Sequence, residues 1–562
     1  MTGIISITGI NFLENIALSC SGGGYRAAMF HLGTMSYLNN LKFKEKPLLE
    51  NVKFLSTVSG GTFTGMIYAL KKQDNWNFVD IFNFLVENVK DLDLLKLGIE
   101  KLNPTGIWRN QIKSKNLINA FSEIYDEKFT EGRTFKEFEQ MKSHLDAVVF
   151  NSTEFNNGIN FRFRNLKEGI FGNNYQTIPK NIAEEIKLSD ALSCSSSFPG
   201  GFEPMIWPKD FDYENSVNLK SYQNTVKDMG IMDGGIYDNQ GIESILLQEK
   251  INKKRFDLII ISDVCSPFME PFKAYRKKPL NEIRKFSIEK GLNKIKTTSN
   301  FFSFTVIFML FLFAIIPIFW KYQDNIWTGV FLGFAFLSLI LLLLKTLIIR
   351  FLNNQIQNFL NVFEKKILKF HILEKLSHLR IEKLSIEKIE PLIFDRISSL
   401  TTLLLDVFLK VVRRLNYNVI YKNKKYSYRR VSVILREMTK DDYIKKRNKT
   451  KKNKIKQIES DYDNTFGDKI QVLSQEVSNF GTTLWFSKED TLNQMLDKLI
   501  CTGQFTTCYN LKKYLKSIIN SPGNGFDKLD IEIQNNLKVT YNQCLEDWNE
   551  FKADPMGKSK AI

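Results

Sequence analysis

Asn15–Arg26 reads NIALSCSGGGYR, an apolar run that ends in three glycines and an arginine. NIALSC has the make-up of a short buried strand, and Ala27–Asn39 beyond the glycines has that of a helix. Consecutive glycines let backbone N–H groups converge on one point, and the N-terminus of the helix adds positive potential there. Such a turn can hold a phosphate or a developing oxyanion. A Walker-type phosphate loop would also need Gly-Lys-Ser/Thr further on, and the chain has none. Gly22, Gly24 and Ala27 satisfy G-x-G-x-x-G/A formally, but a dinucleotide site wants an acidic residue ending the second strand, where this chain has Ser59.

The same rhythm continues outward. Val52–Val58 (VKFLSTV) is a second strand-like run, followed by Gly60–Gly61 and a helical stretch through Leu70. Ala147–Phe150 and Phe256–Val264 (FDLIIISDV) read as further buried strands, and Val431–Leu435 as another after a helix. Strands alternating with helices predict an α/β layer fold with a mainly parallel sheet. Residues 73–140 read as helices covering the sheet, broken by Pro104 and Gly132. Thr482–Leu515 reads as a strand end and two helical pieces, with Ser487 and Asp490 placed for capping.

In composition, the 562 residues are 43% hydrophobic with 46 Phe, enough to bury a core and to exclude a disordered chain. Six scattered cysteines without a CxxC pair exclude a zinc framework, and no metal or other cofactor is expected. There are four histidines: His31, His144, His371 and His378. The last two read as ordinary helix residues. No basic residue precedes Arg26, so Ile4–Ile10 is not expected to act as a secretory signal.

The middle of the chain is different. Phe301–Trp320 and Ile326–Leu344 carry no charge, and each is long enough to cross a bilayer core of ~30 Å. Trp320, Tyr322 and Trp327 sit at the connecting turn, as an interfacial aromatic belt would. A buried core hairpin or a re-entrant hairpin is the alternative. Nine Lys/Arg against three acidic residues lie between Glu270 and Lys296, and Lys345 and Arg350 follow the second run. The positive-inside rule then puts both flanking parts, and both termini, in the cytoplasm. The net charge of +17 fits anionic lipid headgroups near these flanks, and no nucleic acid partner is expected. Leu352, Ile356, Phe359, Phe363, Ile367, Phe370 and Leu373 predict an amphipathic helix over 351–389, stopped at Pro391. Lys445–Lys456 holds eight basic residues and reads first as a solvated loop, next as a lipid contact.

Two further motifs carry chemistry. Thr57-Val58-Ser59-Gly60-Gly61 is close to G-x-S-x-G, in which a serine on a tight strand-to-helix turn exposes its hydroxyl. Asp233-Gly234-Gly235 puts a carboxylate on a turn, free to enter a cleft. Either alone is an ordinary turn signal. With the glycine loop they supply oxyanion donors, a nucleophile and a base, the parts of an acyl-transfer site. A Ser–Asp pair needs no histidine, since the carboxylate itself can take the serine proton.

SGGGYR at 21–26, TVSGG at 57–61 and DGG at 233–235, in this order, resemble the motifs of the patatin-like phospholipases, here of the bacterial type with a transmembrane insertion. Cys194–Met205 (CSSSFPGGFEPM) is similar to the family segment that precedes the D-G-G/A turn. The departures are Thr57 for the first glycine of the elbow and Ala27 for the last glycine of the loop. The resemblance implies a three-layer α/β/α patatin-like sandwich interrupted by a transmembrane hairpin. Catalytic residues 1–265 would be followed by an insertion, 266–392, with spans 301–320 and 326–344. A return segment, 393–522, would complete the catalytic domain before a C-terminal tail, 523–562. Ser59 would be the nucleophile and Asp233 its base. Gly22, Gly23 and Gly24 would form the oxyanion hole with the support of Arg26. The implied activity is hydrolysis of membrane phospholipid esters; a signalling scaffold with a patatin shell and a ligand-activated phospholipase effector are the rival readings.

Overall fold

The computed structural model describes residues 12–110, 112–165, 169–212, 221–222, 225–265, 288–319, 325–367, 385–447, 455–520 and 526–559. His371 and His378, Trp320 and Tyr322, most of the basic stretch 270–296 and the centre of the 445–456 run lie outside them. The chain forms two compact units, Met1–Glu270 with Leu403–Ile562, and Pro271–Thr402.

The first unit is built on an eight-stranded mixed sheet. Its strands are β1 (Ile16–Cys20), β2 (Val52–Val58), β3 (Ala147–Glu154), β4 (Ile159–Arg164), β5 (Met205–Trp207), β6 (Met229–Asp233), β7 (Leu258–Asp263) and β8 (Arg430–Ile434). The order is β8-β7-β1-β2-β3-β6-β5, with β4 pairing β3. β8, β7, β1, β2 and β3 run parallel, as the sequence suggests. The β3–β4, β3–β6 and β5–β6 pairs are antiparallel. Alternate side chains of each strand enter two separate cores. Ile16, Leu18, Leu258 and Ile260 pack into one, Ala17, Phe54, Ile259 and Ile261 into the other. Helices on both faces therefore leave no side of the central strands wet, which is why they read as continuous apolar runs.

α1 (Gly24–Asn40) and α2 (Gly60–Gln73) follow β1 and β2 directly. Further on come α3 (Leu188–Ser196) and α4 (Ile242–Ile251). Residues 73–140 form helices at Phe78–Lys90, Leu94–Leu102 and Leu117–Tyr125.

In the second unit, α5 (Ile288–Phe319) and α6 (Asn325–Ile367) contain two stretches apolar and long enough to cross a membrane, Thr297–Ile316 and Trp327–Ile348. They pack on each other, with Phe313 5.3 Å from Phe334 between ring centroids and Lys345 Nζ donating to the Ser299 carbonyl at 2.7 Å. α6 runs unbroken from its apolar part into the start of the expected amphipathic stripe, and 368–384 lie outside the described residues. α7 (Ile386–Thr402) continues across Pro391, which is a correction to the expected stop. A proline removes one intrahelical bond, and here the flanking turns hold without it.

The return segment brings α8 (Leu409–Tyr421), strand β8, α9 (Ile455–Asn479) and α10 (Met495–Ile519) to the first unit. No strand forms at Thr482–Trp485. The Thr483 carbonyl there accepts the Tyr25 N–H at 2.8 Å, and Phe486 stacks on Tyr25. The Ser487–Asp490 capping box is present. Residues expected as a tail form α11 (Ile531–Ala553). It is part of the core, with Trp548 and Phe551 buried and Asp547 accepting the Tyr37 hydroxyl at 3.0 Å.

Candidate active site

Ser59 sits between the end of β2 and the start of α2 with φ 51° and ψ −122°, a conformation that costs a side-chain-bearing residue of order 1–3 kcal/mol. The turn is this tight because two backbones meet behind it. A Cβ on Gly60 would lie 2.0 Å from the Gly24 carbonyl oxygen, so only glycine fits after the serine. Thr57, the departure from the family pattern, is accommodated from the opposite side. Its Cγ2 would be 2.5 Å from a Cβ at Gly65, and its hydroxyl donates to Thr62 Oγ1 at 3.0 Å. The glycine absent before the serine is thus replaced by one a turn later on the helix facing it.

Strand pairing explains how Asp233 reaches this turn. β3 pairs with β2 up to Val58↔Asn151, and from Ser152↔Asp233 onward with β6. β4 occupies the opposite edge of β3, so β6 takes over the edge where β2 stops. The two strands run in opposite directions, and their C-terminal ends meet. The Ser59 side chain lies beside the Asp233 carboxylate and favours its ionised form. Asp233 Oδ1 also accepts the Gly235 N–H at 2.6 Å. Burial outweighs both influences and pushes the Asp233 pKa up to about 6.

Three positions that sequence reasoning gave no role complete the turn. Ser195 Oγ of α3 accepts the Ser59 N–H at 2.9 Å and donates to the Asn151 carbonyl at 2.7 Å. Asn151 Nδ2 donates to the Thr57 carbonyl at 2.9 Å and to Ser56 Oγ at 3.0 Å. Two residues past Ser195, the Ser197 carbonyl accepts the Asp233 N–H at 3.1 Å. One segment therefore fixes the backbone of both Ser59 and Asp233, which gives the CSSSFPGGFEPM stretch a structural part in the turn. The third position, Asn239, belongs to the glycine loop.

There the expectations need correction. The Gly22 N–H donates to the Asn239 carbonyl at 3.0 Å and is not available to an oxyanion. Tyr25 N–H goes to Thr483. Among the described residues, no carbonyl takes the N–H groups of Gly23, Gly24 or Gly60, which stand at the converging N-termini of α1 and α2. Arg26 does not enter the site either. Its guanidinium is buried and donates to the Cys265 carbonyl at 2.7 Å and the Val264 carbonyl at 3.2 Å, beyond β7 on the far side of β1. Burial lowers its pKa to about 10.

Histidine takes no part among the described residues. His31 is buried between Ser262 Oγ (2.7 Å) and the Ser21 carbonyl (2.8 Å), with its pKa lowered to about 4 by desolvation. His144 contacts Tyr68, also with a pKa lowered by desolvation, to about 3. No group of three or more His, Cys, Asp or Glu among the described residues could hold a metal ion.

Residues 18–246 match the family model described as patatin-like phospholipase. No curated protein matches the chain. Among solved structures, human GIVD cytosolic phospholipase A2 is 10% identical with a TM-score of 0.30, over 45% of this chain and 45% of that one. The same enzyme in complex with methyl gamma-linolenyl fluorophosphonate inhibitor and terbium chloride is 12% identical with a TM-score of 0.28, over 46% and 45%. This chain therefore spans less than half the length of the solved structures it matches. The region matched by the family model holds the glycine loop, Ser59, Ser195 and Asp233.

Proposed function

We propose that the protein is a membrane-anchored serine lipid acyl hydrolase that cleaves carboxylic ester bonds of glycerophospholipids. The observation that carries this reading is the meeting of Ser59 and the buried Asp233 carboxylate at adjacent strand ends, beside two helix N-termini. Ser59 Oγ attacks the ester carbonyl carbon while its proton passes to Asp233. The N–H groups of Gly23 and Gly24 face the oxygen as it becomes negative, and preorganised donors of this kind are worth roughly 100- to 1000-fold each. The ester C–O bond breaks, the lysophospholipid alcohol leaves with the proton from Asp233, and the fatty acyl group remains on Ser59. Water then attacks, giving its proton to Asp233; the acyl–Oγ bond breaks, the proton passes from Asp233 to Ser59 Oγ, and the fatty acid departs. A base near pH 6 is better matched to this task at neutral pH than an ordinary aspartate.

The two apolar helices anchor the chain, with the catalytic unit and both termini on the cytoplasmic side, where the basic flanks meet anionic headgroups. A ligand-activated form of the same hydrolase is favoured by one observation, the 7% exposure of Ser59. A nucleophile so enclosed must be uncovered before a lipid ester can reach it.

The test is fatty acid release from phospholipid vesicles by the detergent-purified protein beside Ser59→Ala. Release abolished by the substitution is the expected result. Equal release from both proteins would sink the reading. Release that begins only on adding a cell extract, and only with Ser59 intact, would select the ligand-activated form.

A further inference from the structure

We propose that the outer face of α8 is a membrane-seating surface for anionic lipid, separate from the two apolar helices. α8 has two unlike faces. Toward the sheet, Arg413 pairs with the buried Asp263, Tyr417 donates to the same carboxylate at 2.7 Å, Asn416 donates to the Tyr237 carbonyl at 3.0 Å, and Ile420 enters a core. On the opposite side, Val407 and Phe408 of the preceding turn, then Val411, Leu415 and Val419, are 38–60% exposed. Their spacing of three and four residues makes one apolar stripe along the helix.

Charge decides what covers this stripe. From Val407 to Arg436 the chain has nine Lys/Arg and no Asp or Glu; Arg413, Arg429 and Arg436 pair with Asp263, Glu249 and Asp442. Arg414 stands exposed at the border of the stripe, and Lys422, Lys424 and Lys425 are exposed just past its end. Tyr421 and Tyr428, 39% and 47% exposed, lie at the same end. An apolar helix face edged by cations and closed by tyrosines is the pattern of a helix lying in the headgroup region, its apolar side ~5–10 Å deep. A second copy of the chain fits badly, because a two-fold contact would set these cations against themselves. A nucleic acid would leave the apolar stripe wet.

Seating this helix also bears on the site, because its inner face grips the segment that follows Asp233. Asp263 joins Arg413 and Tyr417 to Gln240 (3.2 Å), while Asn416 holds Tyr237. The proposal rests on the membrane part of the function above and not on its chemistry.

The test uses the full chain in vesicles with and without phosphatidylglycerol, carrying an environment-sensitive label through Leu415→Cys. Labels at Glu546→Cys, on the exposed side of α11, and at Phe308→Cys, in the first apolar helix, are the references. The expected result is several-fold stronger quenching by lipid-borne nitroxide at 415 than at 546. That excess depends on phosphatidylglycerol and is diminished by Arg414→Glu. Equal quenching at 415 and 546 with strong quenching at 308 overturns the proposal and leaves the membrane reading standing. A label at 415 shielded from both lipid nitroxide and aqueous iodide also overturns it, since protein then covers the face. Should the label at 308 stay unquenched, the two-span reading falls, and quenching at 415 still decides this one. A second measurement uses Val411→Glu with Leu415→Glu, both exposed. Hydrolysis of vesicle lipid should drop about tenfold with a water-soluble ester cleaved as before. Unchanged vesicle hydrolysis would overturn the proposal.

Discussion

Two apolar runs of this chain meet opposite surroundings. Leu258–Asp263 is buried residue for residue, flanked by β1 and β8 and covered on both faces. Thr297–Ile316 and Trp327–Ile348 are at least as apolar, yet 6% of each stretch is buried. The strand must take its hydrogen bonds from neighbours, so it exists only inside the sheet. A helix makes its own bonds and needs from outside only an apolar medium, which a bilayer supplies. Hydropathy alone does not separate the two cases; the source of the backbone hydrogen bonds does.

A charge placed in each run gives the widest contrast. Ile260→Asp puts a carboxylate in a site with no exposed surface and should cost more than ~4 kcal/mol, so no folded catalytic unit survives. Leu337→Asp, at a half-exposed position, should leave the melting of that unit in detergent unchanged and weaken membrane integration by ~3 kcal/mol. Circular dichroism and carbonate extraction read the two effects. Similar losses from both substitutions would mean that the apolar helices are core elements after all.

Polar groups buried by the sheet sharpen the contrast further. Arg413→Met leaves Asp263 buried without its cation and should lower stability by roughly 3–5 kcal/mol in denaturant titration. An unchanged midpoint would show that Tyr417 and Gln240 suffice to hold the carboxylate.

Smaller effects are expected at the turn. Gly60→Ala pushes a methyl group toward the Gly24 carbonyl, and a displacement near 1 Å at the nucleophile costs about 100-fold in rate. Ser195→Ala removes the acceptor of the Ser59 N–H, a loss of about 1–3 kcal/mol shared between stability and rate. If Ser195→Ala changes neither, the family segment has another purpose.

The mildest perturbation is pH. Asp233 must be ionised to act as base, and burial places its pKa at about 6. On a soluble ester, kcat/KM should rise tenfold per pH unit below about 6 and level off above it. The stability effect has the opposite sign. The folded state holds this proton more tightly than the unfolded chain, so Asp233 by itself favours folding as the pH falls from about 6 toward its ordinary value of 3.8. A rate flat through pH 6 would remove Asp233 from the base role.

Much of the frame was legible from residues 15–265. Strand runs such as VKFLSTV end on the residues the periodicity suggests, because both faces of the sheet are buried and the apolar run is as long as the strand. The role of Gly22 was not, since its N–H is taken by the Asn239 carbonyl from a segment more than two hundred residues away. The partners of Arg26 were hidden for a similar reason. A charged residue beside a glycine loop looks functional, but here it clamps the carbonyls that end β7. The C-terminal 523–562 looked like a tail because its buried positions, among them Leu537, Cys544, Trp548 and Phe551, are widely spaced among polar residues.

By itself the sequence determined most of the strands and helices, which two runs are apolar enough for a membrane, and where the glycine loop and the Ser59 and Asp233 turns lie. Local composition and spacing carry that information, because hydrogen bonding within a turn and the periodicity of an apolar face are properties of neighbours along the chain. The tertiary structure alone decided that β6 takes the edge of β3 where β2 ends, bringing Asp233 to Ser59. It also decided that Ser195 and Asn151 hold the turn, and that α8 turns one face to Asp263 and the other outward. Those facts depend on strand register and on burial against residues remote in sequence, and no local pattern encodes either.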